Sequence, residues 1–63
     1  PFPTVLHRGG ELILPYGNWV LVDMNGRVLW KGTLADNRLR MDVLPGIYFI
    51  RNERKAVKIM IIE

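Results

Sequence analysis

An all-β fold of six or seven short strands, closed as a compact antiparallel sandwich or a small barrel, is the architecture this chain predicts. Three observations carry it. No window offers a 3.6-residue apolar stripe of helical length, and Gly or Pro interrupts the sequence about every twelve residues. Asn25-Gly26 stands between two apolar, β-favouring runs, the strongest short-range hairpin signal, because both residues tolerate the positive φ of a type I′ turn. Residues 38–43 alternate cleanly: Leu39, Met41 and Val43 fall on one face, Arg38, Arg40 and Asp42 on the other, as in a half-buried strand.

Taken in order, Pro1-Phe2-Pro3 is stiff and suits only the approach to an edge strand through Thr4-Val5-Leu6. His7-Arg8-Gly9-Gly10 reads as a turn, and Glu11-Leu12-Ile13-Leu14 as a short strand ended by Pro15 and a loop through Tyr16-Gly17-Asn18. Residues 19–24 form the next strand, with residues 27–31 returning as its partner after Asn25-Gly26, and residues 32–37 read as a loop. The rest of the chain is organised around Val43-Leu44-Pro45-Gly46-Ile47-Tyr48-Phe49-Ile50. Pro45 presets φ at the first central position of a turn and Gly46 supplies the left-handed conformation next, so the chain reverses and enters a strand at once. Tyr48, Phe49 and their flanking Ile residues show no polar face, which suits a strand covered on both sides. Asn52-Glu53-Arg54-Lys55 is polar enough for a hairpin link, and residues 57–62 close the chain as a second apolar strand.

Sixty-three residues make a single domain, one that buries only about 60% of its unfolded surface and has a stability on the order of 3–5 kcal/mol. The 49% hydrophobic content excludes a disordered tail, and no apolar run reaches the length needed to span a bilayer as a helix. The chain starts at Pro1 without Met or a basic-plus-apolar leader and reads as a piece excised from a longer protein. With no cysteine, neither disulfides nor a thiolate zinc site stabilise the core. A net charge of +3, nine Lys and Arg against six Asp and Glu, fits a solvated surface or an anionic partner.

The residues offer little to a catalyst. There is no Ser, Thr4 and Thr33 lack an activating context, and His7 is the only histidine, an ordinary loop residue with no co-ligand for a metal. Asp23, Asp36 and Asp42 sit beside turns or on an outward face, where capping and solubility account for them. Gly9-Gly10 lacks the Lys-Ser/Thr and the helix of a phosphate loop. No enzyme and no cofactor are expected. Trp19, Trp30, Tyr16, Tyr48 and Phe49 interleave with Arg27, Lys31, Arg38, Arg40, Arg51 and Arg54, which is the composition of a nucleic-acid surface. Spread over four strands or turns, they show no stacking order, and burying area in a small core is their simpler use, so no nucleic acid is expected.

The order of the turns carries a resemblance. Val22-Asp23-Met24-Asn25-Gly26-Arg27-Val28, then Leu44-Pro45-Gly46-Ile47-Tyr48-Phe49-Ile50, then Val57-Lys58-Ile59-Met60-Ile61-Ile62 at the end, resembles the type IX secretion system C-terminal sorting domain of Bacteroidetes. Pro1-Phe2-Pro3 is similar to that family's opening proline-x-proline, with Phe2 where the family usually has Asn, and Gly10-Glu11-Leu12 to its first core strand. The resemblance implies an immunoglobulin-like sandwich of about seven strands that serves as an export address, not a catalyst. It implies a cargo domain continuous with the chain upstream, passage through the periplasm, recognition by the outer-membrane translocon, and residence on the cell surface or release after a sortase removes the domain. Gly46 and Tyr48 would serve fold and presentation; Lys58, Ile59, Met60, Ile61, Ile62 and Glu63 would contact the machinery. Recognition through the exposed sheet edge and the final strand is expected, since an unpaired edge presents backbone donors and acceptors, and the same edge could pair two copies into a homodimer. Two other classes stand beside this reading: an adhesive or carbohydrate-binding sandwich appended to another domain, marked by exposed coplanar Trp19 and Trp30, and a basic barrel binding nucleic acid.

Overall fold

Seven strands form in residues 4–34 and 36–63, the part of the chain that the computed structural model describes: β1 (Thr4–His7), β2 (Glu11–Ile13), β3 (Gly17–Asp23), β4 (Val28–Leu34), β5 (Arg38–Arg40), β6 (Gly46–Arg51) and β7 (Ala56–Ile62). Pro1-Phe2-Pro3, with its opening motif, lies outside the described residues. The strands make a five-stranded sheet, β1-β7-β6-β3-β4, and a two-stranded sheet, β2-β5. Only β3–β4 and β6–β7 are hairpins; every other connection passes between the sheets. In immunoglobulin lettering this is A′-G-F-C-C′ on one sheet and B-E on the other.

The pairing is mixed at one place. β1 runs parallel to β7, with Thr4 opposite Ile59 and His7 opposite Ile62, because β1 is joined to the other sheet and not to its neighbour. Arg8 N–H extends that pairing by donating to the Ile62 carbonyl at 2.7 Å.

Two further features belong to the same architecture. Trp19 on β3 is buried and its indole N–H donates to the Pro15 carbonyl at 2.9 Å. Tyr48, near the start of β6, donates its hydroxyl to the Leu44 carbonyl four residues upstream at 2.6 Å, the tyrosine corner of these sandwiches. Gly46 between them has φ of 154°, a region closed to side chains by sterics, so Leu-Pro-Gly-Ile-Tyr folds as one corner. Ile50, two residues past the tyrosine and fully buried, stands where antibody domains place a cysteine.

The core lies between the sheets. Leu12 and the adjoining Leu14 and Met41 cover Trp19, Leu21, Leu34, Tyr48, Ile50, Ile59 and Ile61. Leu39 and Val43 add to the same cluster, while Arg38, Arg40 and Asp42 stay exposed, so the predicted alternation holds although strand pairing stops at Arg40.

Five expectations change, the first being that Gly17 and Asn18, read as a loop, open β3 opposite Leu34 and Thr33. Asn25-Gly26 does not make a type I′ turn: Gly26 alone has positive φ, 82°. The Asp23 carboxylate accepts from the N–H groups of Asn25 and Arg27, both at 2.9 Å, and Gly26 N–H donates to the Asp23 carbonyl at 3.1 Å, so the link is a type I turn ending in a glycine bulge. Gly32 does not open a loop, since Gly32, Thr33 and Leu34 continue β4. Gly32 faces Trp19 across the ladder, and a Cβ there would stand 3.2 Å from the Trp30 ring, so the glycine makes room for an indole and does not break the strand. His7 belongs to β1, not to a loop. The last two strands are covered on one face only, as the site below shows.

Candidate functional site

Strand alternation decides what β7 shows to the outside. Val57, Ile59 and Ile61 point into the core, so Ala56, Lys58, Met60 and Ile62 point away from it. The same parity sends Ile47, Phe49 and Arg51 of β6, Val5 and His7 of β1, Val20 and Val22 of β3, and Val28 and Lys31 of β4 to that outer side. No element among the described residues lies over it, because the second sheet has two strands and both cover the other face.

Register arranges these side chains in rows across the sheet. Val28, Val22, Phe49 and Lys58 are successive partners in one row; Ile47, Met60 and Val5 make the next. Val22 is only 6% exposed yet does not belong to the core cluster, so its neighbours on the open face bury it. With strands about 4.8 Å apart the face is roughly 20 Å across and apolar at its middle.

Its charge is of one sign. Lys31 and Arg51 flank Val20 in a third row and Lys58 closes the first, all three exposed. Among the described residues the ion pairs use other cations: Arg8 with Asp42 and Glu63, and Arg38 with Glu11, each at 3.7 Å. The carboxylates sit in turns, at the chain end or on the smaller sheet: Asp23 and Asp36 cap turns through their backbone partners, Glu53 lies in the last hairpin link, and Glu11 faces outward on β2. A cationic, apolar sheet face therefore suits a partner surface that is apolar and rimmed with carboxylates.

The residues expected to meet a partner divide by this geometry. Lys58, Met60 and Ile62 stand together on the open face; Ile59 and Ile61 are buried in the core and act only through the fold. Glu63 lies past β7, ion-paired with Arg8, and its carbonyl stands 3.0 Å from His7 Nδ1, within hydrogen-bond reach. Tyr48 is buried in the corner, while Gly46 is exposed beside it. The final strand does not offer a free backbone edge, since β1 and β6 pair with both its sides; the edges of the large sheet are β1 and β4. A partner strand adding to the large sheet would have to do so at those edges, and contact with β7 runs through side chains. Nothing local in the sequence marks Val5, Val22, Val28, Ile47 and Phe49 for this face; Lys58 inside an otherwise apolar strand is the sign that one side of β7 meets water.

The aromatic residues are mostly structural. Trp19 is 1% exposed, Tyr48 is buried, and Trp30 packs against the core, so the pair of exposed indoles that would mark a sugar-binding sandwich is not formed. Comparison with known protein families, with curated proteins and with solved structures returns no match.

Proposed function

We propose that this domain is a C-terminal sorting signal that directs an attached cargo protein across the outer membrane through the type IX secretion system, where a surface sortase then removes it or leaves it in place. The observation that carries the reading is the division of the last strand: it anchors the sandwich with one face and displays Lys58, Met60 and Ile62 with the other. An export address must be folded to be recognised and must show the translocon something constant whatever cargo precedes it. A strand such as β7, paired on both sides within the sheet, supports both. The Leu-Pro-Gly-Ile-Tyr corner supports the same reading by fixing β6, on which β7 lies in register from Gly46 opposite Ile61 to Arg51 opposite Ala56.

The test is a reporter directed to the periplasm and fused at its C-terminus to these residues, expressed in a type IX-competent bacterium and in a translocon-deficient strain. Deleting residues 58–63 would strip Ile59 and Ile61 from the core, so the informative variant is Lys58→Glu with Met60→Ser and Ile62→Thr, which alters only outward side chains. Surface display that needs the translocon and is lost in this folded variant supports the proposal. A folded fusion that stays in the periplasm in every strain overturns it and brings forward an adhesive module in its place.

A further inference from the structure

At the end of the sandwich where β2 leads into β3 and β6 turns into β7, residues 15–18 and 52–55 face each other across an open cleft of about 450 Å³. In the immunoglobulin arrangement these are the B–C loop with the first two residues of the C strand, and the F–G loop, the end that variable domains use for binding. Both walls are set by the protein's own hydrogen bonds. The buried Trp19 holds the Pro15 carbonyl, as described, and the Asn52 side-chain carbonyl accepts from the N–H groups of Arg54 at 2.8 Å and Lys55 at 2.9 Å. The Asn18 side-chain carbonyl accepts from the Thr33 hydroxyl. With both carbonyl oxygens so engaged, the amide nitrogens of Asn18 and Asn52 remain as donors, and neither has a protein partner among the described residues.

Between these walls Tyr16 is 73% exposed, a large aromatic surface left in water beside Arg54 and Lys55, which take part in no ion pair among the described residues. Glu53 lines the same cleft. A flat apolar face, two cations, two fixed amide donors and one carboxylate acceptor are a set with a specific complement.

We propose that this cleft binds an acidic sugar, a hexuronate unit of an oligosaccharide or polysaccharide. The C–H face of the pyranose lies on Tyr16, its carboxylate meets Arg54 and Lys55, and its hydroxyls accept from Asn18 and Asn52 and donate to Glu53. A neutral sugar would leave the two cations of the cleft without a counter-charge. The site adjoins the open sheet face at Asn18, two residues before Val20 on the same side of β3, but it uses none of that face's cations and does not depend on the export reading.

The measurement is a ¹H–¹⁵N NMR titration of the 63-residue chain with tetragalacturonate, repeated with cellotetraose as the neutral counterpart. Shifts confined to residues 15–18 and 52–55, weakened about tenfold or more in Tyr16→Ala and in Arg54→Gln, and unchanged in Lys31→Gln with Lys58→Gln on the open face, are the expected result. All these side chains are exposed, so the variants keep the fold. Absence of saturable shifts, equal response to cellotetraose, or shifts that follow Lys31 and Lys58 and ignore Tyr16 would each overturn the proposal.

Discussion

The two faces of the five-stranded sheet are built from the same strands and nearly the same residue types, yet they do different work. On the inner face Trp19, Leu21, Tyr48, Ile50, Ile59 and Ile61 are sealed by the two-stranded sheet. On the outer face Val5, Ile47, Phe49, Met60 and Ile62 remain partly open to water, with Lys31, Arg51 and Lys58 among them. Hydrophobicity alone does not separate the two sets; coverage does. A sheet of five strands opposed by one of two has only one side it can bury. The outer side leaves Val5 and Val28 half exposed, the open apolar surface that the proposed export contact requires.

Substitutions on β7 break this symmetry most sharply. Ile59→Ala opens a cavity at a fully buried position and is expected to cost about 2–5 kcal/mol, the size of the whole stability of a domain of this length. Urea or thermal denaturation followed by far-UV circular dichroism should find it largely unfolded near room temperature. Met60→Ala, one residue on and partly open to water, should leave a cooperative transition with most of the stability intact. Equal losses at the two positions would mean that the outer face is covered in solution.

The corner before β6 comes next. At Gly46, φ of 154° excludes a side chain by backbone sterics, whereas the space itself is open, the nearest atom to an added Cβ being Tyr48 Cε2 at 3.8 Å. Gly46→Ala should therefore cost about 1–3 kcal/mol through strain alone. Tyr48→Phe keeps the ring in the core and removes only the bond to the Leu44 carbonyl, for about 0.5–1.5 kcal/mol. Since each kcal/mol moves the midpoint of so small a domain by roughly 4–8 °C, thermal scans resolve both. If Gly46→Ala proved milder than Tyr48→Phe, the corner would be held by the hydroxyl and not by the glycine.

What the sequence disclosed and what it concealed follow from how far each signal reaches along the chain. The two hairpins announce themselves within a few residues, through Asn25-Gly26 and through Asn52, whose side chain caps its own turn. The corner is equally local, four residues from Leu44 to Tyr48. The Asp23 side chain settles the turn type that Asn25-Gly26 leaves open, because an acceptor at the first position favours a type I turn over its mirror image. Gly32 has no local mark as a strand residue, since the reason for it is the Trp30 indole folded over it, a placement that the ladder with β3 sets. The parallel pairing of β1 with β7 joins residues 55 apart and has no local mark at all. The candidate surface was half legible for the same reason: Lys58 betrays the outward side of β7, but its companions Val5, Ile47 and Phe49 read as core in a sequence that does not say how many strands the opposing sheet has.

The smallest expected change in stability belongs to Lys58, and it sharpens the comparison most. Lys58 is exposed, makes no ion pair among the described residues, and stands opposite Phe49 in the β6–β7 ladder. Lys58→Gln should move the unfolding free energy by no more than about 0.5 kcal/mol, since the change removes a solvated charge at an exposed position. If the face is a contact surface, the same substitution should lower reporter export in the fusion assay while the purified domain melts as before, and the loss should deepen when Lys31 and Arg51 are neutralised with it, because the three cations act together on one acidic partner. A purely structural face predicts the opposite order: export would track melting temperature across every variant, and Lys58→Gln, which barely moves that temperature, would be exported like the parent.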